Sequence, residues 1–85
     1  MKSADSIDRV IQVKDICIGK NIKTLREARD FSQVEFVNQL QLSGIDISVF
    51  SYNRIEKGTQ NPTVSFLLTC CKLLGCDMNQ IFETS

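Results

Sequence analysis

Histidine and tryptophan are absent from this 85-residue sequence, proline occurs once, and its ten Lys and Arg are balanced by ten Asp and Glu. Without histidine no Cys/His zinc site can be built, and no Ser/His or Cys/His pair is available to activate a nucleophile. A glycine-rich phosphate loop is missing as well. The chain is therefore not expected to be an enzyme, and no metal or cofactor is expected. Zero net charge withholds the general attraction to polyanions that a strongly basic chain has. No apolar run approaches the roughly 20 residues that span a bilayer. With no secretory signal either, the expectation is a cytoplasmic protein without membrane contact, its cysteines reduced. These stand at positions 17, 70, 71 and 76. Adjacent residues on a helix diverge by about 100°, so Cys70 and Cys71 are poorly placed to share a metal and are read as small core hydrophobes.

The length allows one domain with a modest core. Residues 1–15 read as an N-terminal extension. There Ile7, Val10 and Ile11 have helical spacing while Ile11 and Val13 also fit a short strand, and the segment would cap the core or add to a dimer contact. From 16 to 85 the pattern is helical. Ile18, Ile22 and Leu25 mark one face of a helix from about Ile16 to Arg29, with Lys20, Lys23, Glu27 and Arg29 on its outer faces. Asp30 ends it. Ser32 and Glu35 have the capping-box form, with Phe31 placed to pack on Phe36. Val34, Phe36, Val37 and Leu40 are the expected inner residues of this second helix, which stops at Ser43-Gly44. Ile45 and Ile47 alternate with Asp46 in an extended connection. Ser48 caps a third helix that turns Tyr52 and Ile55 inward and closes at Gly58. After the polar loop Thr59-Gln60-Asn61-Pro62, residues 63–74 are apolar nearly all round, which predicts a central buried helix ended by Gly75. Asp77 caps a last short helix carrying Met78, Ile81 and Phe82. Five helices with short connections predict an all-α bundle. The second and third, joined through a glycine-containing connection, read as a helix-turn-helix, whose second helix enters the DNA major groove.

With the helices placed, the chain resembles the Cro/C1-type helix-turn-helix domains of phage repressors and bacterial xenobiotic-response-element-like regulators, from Ile18 to Phe82. The resemblance is carried by Ile18-Gly19-Lys20-Asn21-Ile22-Lys23-Thr24-Leu25-Arg26, by Phe31-Ser32-Gln33 with Phe36, by Ile55-Glu56-Lys57-Gly58 with Asn61-Pro62, and by Leu74-Gly75 with Ile81-Phe82. It implies a five-helix lambda-repressor-like DNA-binding domain. The implied function is sequence-specific binding of double-stranded DNA by a transcriptional regulator, a repressor, acting as a homodimer on a two-fold operator. Half-sites would then lie about 34–36 Å apart, and binding would depend steeply on salt. The fourth and fifth helices are the dimer surface that the family suggests. An ion pair between Arg26 and Glu56 is also implied, as an orienting device if buried. The chain departs from the family in its longer connection, with Gln41 to Ile45 as the insertion, in Val37 where alanine is usual, and in the apolar Val49 and Phe50 opening the third helix.

The resemblance assigns the DNA-binding positions as follows. Ser48 caps the recognition helix, at about Ser48–Lys57, and Val49, Phe50, Ser51, Asn53 and Arg54 face the groove. Arg54 suits both acceptors of a guanine edge or a phosphate, and Asn53 suits adenine or solvent. Val49 and Phe50 suit thymine methyl groups, although Phe50 also suits the core or a partner. Gln33, beside the Ser32 cap, matches a position that grips the DNA backbone. Lys57, Thr59 and Asn61 approach the backbone from the following loop. A second class of function fits the neutral charge and the Val49-Phe50 pair: a protein-interaction module, such as an antitoxin or adaptor, using the same face.

Overall fold

A computed structural model describes residues 17–84; the N-terminal extension lies outside the described residues. Five helices follow in order: α1 Ile18–Ala28, α2 Gln33–Leu42, α3 Val49–Lys57, α4 Val64–Leu74 and α5 Met78–Ile81. The described residues contain no β-strand. Four of the helices start on a side chain that accepts from an otherwise unpaired backbone N–H: Ser32, Ser48, Thr63 and Asp77. Each such cap contributes about 1 kcal/mol. At Ser32 the box is reciprocal, with the Glu35 N–H donating to Ser32 Oγ at 3.1 Å and the Ser32 N–H to Glu35 Oε1 at 2.8 Å. That bond holds the exposed Glu35 carboxyl below the usual carboxylate range. Phe31 packs on Phe36 with ring centroids 5.6 Å apart, which fixes the entry to α2.

The exit from α1 is less favourable. Asp30 sits at φ 61°, the left-handed region, so that the Phe31 N–H reaches the Arg26 carbonyl at 3.2 Å and the Asp30 N–H reaches that of Glu27 at 3.0 Å. Glycine is the residue this closure favours. Replacing Asp30 with glycine is expected to stabilise the domain by about 0.5–1 kcal/mol, read as a higher urea midpoint. A lower midpoint would mean that the Asp30 side chain contributes more than its backbone costs.

The helices cross around one core. Ile18 and Ile22 of α1, Phe36, Val37 and Leu40 of α2, Tyr52 and Ile55 of α3, Phe66, Leu67, Cys70 and Leu74 of α4, and Ile81 of α5 are all buried. Phe36, Tyr52 and Phe66 run through it with ring centroids 5.6 and 6.1 Å apart. Helix α1 packs on α3, α4 and α5, and α2 on α3 and α4. The side chain of Asn21 ties α1 to the end of the chain, donating to the carbonyls of Ile81 and Glu83 at 2.8 Å each. Two expectations about burial are corrected. Val34 is 55% exposed, because the Ser32 box and the Phe31 contact turn it to the outer side of the first turn of α2. Helix α4 is not buried all round: Val64 and Leu68, one turn apart, are exposed, because the other helices cover it on one side only.

The connection between α2 and α3 is anchored rather than loose. Ile45 and Ile47 pack against the core while Asp46 stays exposed. The Ile45 N–H bonds the Leu40 carbonyl at 2.9 Å, and the Gln41 amide bonds the Ile47 carbonyl at 2.9 Å. These contacts therefore deliver Ser48 to the start of α3 at a fixed place.

Candidate nucleic-acid interface

The surface of α3 divides cleanly. Val49, Phe50 and Arg54 are exposed, Lys57 is exposed and Asn53 is half-buried. Residues at i, i+1, i+4, i+5 and i+8 share one side of a helix, so these five form a single stripe. Tyr52, Ile55 and Glu56 are buried on the opposite side. Ser51, expected on the outer face, falls at its flank. It is half-buried and lines a recess of about 170 Å³ with Ile45, Ile47, Asn61 and Phe66. Ser48 is committed to its cap, its Oγ accepting from the Ser51 N–H at 3.1 Å. Phe50 is 71% exposed, which removes the core as its role. The Arg54 guanidinium carbon lies 5.6 Å from the centre of the Phe50 ring, a cation–π contact on the outer face.

Charge explains the placement of Glu56. It is the only acid on α3, and it points inward, so the exposed stripe carries Arg54 and Lys57 with no acid between them. Arg26 of α1 donates to it through Nε at 2.7 Å and through Nη2 at 3.3 Å, a forked pair. The third guanidinium nitrogen donates to the Phe31 carbonyl at 2.6 Å. The Tyr52 hydroxyl and the Gln33 amide also donate to Glu56, the latter at 2.9 Å. Burial pushes the Glu56 carboxyl up, but the hydrogen bonds from Arg26, Tyr52 and Gln33, with the Arg26 charge, outweigh it and hold the group below the usual range. The hydrogen bond from the guanidinium to Glu56 raises Arg26 against the opposing effect of burial. Burial, followed by the bond to Glu56, pushes the Tyr52 hydroxyl up. Among the described residues no buried side-chain nitrogen or oxygen is left without a partner.

Two predicted interface residues meet at this network. Asn53 Nδ2 donates to Gln33 Oε1 at 3.3 Å, and Gln33 in turn bonds Glu56. The first residue of α2 is thus joined to both sides of α3. Thr59 closes α3 from beyond its end, its N–H and Oγ1 both reaching the Arg54 carbonyl, at 2.9 and 3.2 Å. Asn61 lies in the recess, half-buried and away from the stripe.

Two contributors are not among the predicted site residues. Tyr52 supplies a fourth bond to Glu56, and its spacing of four residues along one helix is the signal that points to it. Gly19 lets α1 approach α3: a Cβ there would stand 2.1 Å from the Ile55 carbonyl oxygen and 2.6 Å from that of Glu56. A glycine inside a helical pattern is the corresponding signal.

A helix-turn-helix family model matches residues 22–81, from the middle of α1 to the end of α5. The chain belongs to the Cro/C1-type helix-turn-helix family, whose members are DNA-binding regulators. No curated protein and no solved structure matches it. No helix among the described residues is long and apolar enough to cross a membrane, and no group of metal-binding side chains is assembled there.

Proposed function

We propose that this protein is a sequence-specific repressor that binds double-stranded DNA as a homodimer, with α3 in the major groove. The observation that carries the reading is the outer stripe of α3: two cations, an amide and two apolar residues with no acid among them, on a helix whose inner side is fixed by a fully bonded carboxylate. A neutral chain thereby presents a positive reading face. Arg54 takes a guanine edge, and Val49 and Phe50 take thymine methyl groups. Asn53 and Gln33, already bonded to each other, act together at the junction of base edge and backbone. Lys57 contacts phosphate, joined by the backbone amides at the start of α2. Thr59 and Asn61 serve the phosphate contact by shaping the loop after α3. Val64 and Leu68, exposed one turn apart on α4, offer a second copy an apolar surface. Occupying an operator is enough by itself to block it, which favours repression.

The exposed Phe50 and Val49 are what a protein-interaction module would also present. Their patch is interrupted by Asn53, Arg54 and Lys57 along the same stripe, which favours DNA. In fluorescence-anisotropy titrations, Arg54→Ala is expected to weaken binding to the preferred duplex by about 5- to 150-fold, the equivalent of 1–3 kcal/mol. Affinity of the wild type should fall linearly on a log–log plot against salt. Equal binding by both proteins would remove Arg54 from the reading face. Binding of neither at low salt would remove DNA altogether.

A further inference from the structure

The left-handed turn at Gly75 folds the chain back over the last turn of α4, and the Cys76 N–H bonds the Cys71 carbonyl at 3.1 Å. A helix end closed in this way brings the side chains of those two positions together, and ordinarily both are apolar. Here both are cysteines. The two thiols are near enough that Cys71 helps push Cys76 up, and Cys71 Sγ donates to the Met78 sulfur at 3.5 Å. Both thiols are half-buried, whereas Cys70 is buried and Cys17 stands at the opposite end of the described residues, before α1. The DNA-facing stripe of α3 uses none of them.

We propose that Cys71 and Cys76 form a dithiol site that low-molecular-weight disulfides convert reversibly to an intramolecular disulfide. With glutathione disulfide as the oxidant, one protein thiolate attacks a glutathione sulfur, forming a mixed disulfide and releasing one glutathione. The second protein thiolate then attacks the protein sulfur of that mixed disulfide and releases the other. Two cysteines are oxidised and one glutathione disulfide is reduced to two thiols, which take up the two protons the cysteines lose. The bond would staple the end of α4 to the segment leading into α5. Burial and the neighbouring Cys71 thiol push Cys76 up to about 11, so its thiolate is scarce at neutral pH and exchange is slow. The equilibrium, not the rate, is therefore the readout.

The test equilibrates the folded protein in glutathione buffers of graded oxidation, alkylates the remaining thiols and maps them by mass spectrometry. The expected result is loss of two of the four alkylated cysteines in one step, within a monomer, with recovery on reduction. Cys70→Ser should keep that step. Cys71→Ser and Cys76→Ser should lose it and carry one glutathione instead. Four alkylated cysteines in wild type at every ratio would overturn the proposal, as would a link through Cys17 or Cys70 or between two chains. The outcome does not depend on whether the protein binds DNA.

Discussion

Replacing Glu56 with alanine is expected to lower the unfolding free energy by about 3–5 kcal/mol, the cost of breaking a buried ion pair from one side. The change strands the guanidinium of Arg26, a residue only 6% exposed, and takes the acceptor from the Tyr52 hydroxyl and the Gln33 amide. Domains of this size have only about 4–13 kcal/mol in total, so the variant should sit near its folding threshold. Arg26→Ala should cost a similar amount. A loss below about 1 kcal/mol in urea denaturation would mean that the pair behaves as an exposed one.

The same carboxyl governs the acid limb. Glu56 titrates lower in the folded protein than in the unfolded chain, where a glutamate titrates near 4.3. The stabilisation from its ionised form is complete above that value and is lost as pH falls through the folded value. Wild-type stability should therefore decline on acidification below about pH 4.3. Glu56→Gln, already without the charge, should show a shallower decline, measured as urea midpoints across pH.

The second large effect is expected at Gly19. Alanine normally favours a helix over glycine by about 1 kcal/mol, yet here it should destabilise by about 1–3 kcal/mol or more. The new methyl would stand 2.1 and 2.6 Å from two backbone carbonyl oxygens. Backbone cannot rotate aside as a side chain can, so α1 and α3 must part. On the proposed function α3 carries the reading stripe, so DNA affinity should fall along with stability in Gly19→Ala. An increase in thermal stability would show that the two helices do not approach so closely.

The caps at Ser32, Ser48 and Asp77 and the glycine closures at 58 and 75 were legible in the sequence because each is a local rule, satisfied within three or four residues. The inward turn of Tyr52 and Ile55 was legible for the same reason, as helical periodicity. Burial of Val34, Val64 and Leu68 was misjudged because periodicity ranks the apolar residues of a helix but does not say how wide a face its neighbours cover. The proposed interface could be written from the sequence as a set of positions, not as a set of contacts. That Gln33 bonds both Asn53 and Glu56, and that Ser51 and Asn61 turn into a recess, follows from the crossing of α2 and α3 and the path of the longer connection. The Gln33 bonds join residues 20 or more apart in the chain, where no local pattern reaches. Neutral composition was also a poor guide to the face, since Glu56 and Arg26 cancel inside the fold and leave Arg54 and Lys57 outside.

Enrichment of random duplexes on the purified protein, followed by sequencing, tests the reading face most directly. The expected result is a two-fold symmetric motif, its half-sites centred about 34–36 Å apart along the duplex, that relaxes at one base pair per half-site when Arg54 is replaced by alanine. A pool that stays random after repeated rounds at low salt would contradict DNA recognition by α3, and a motif unchanged in the Arg54→Ala protein would contradict base reading by that residue.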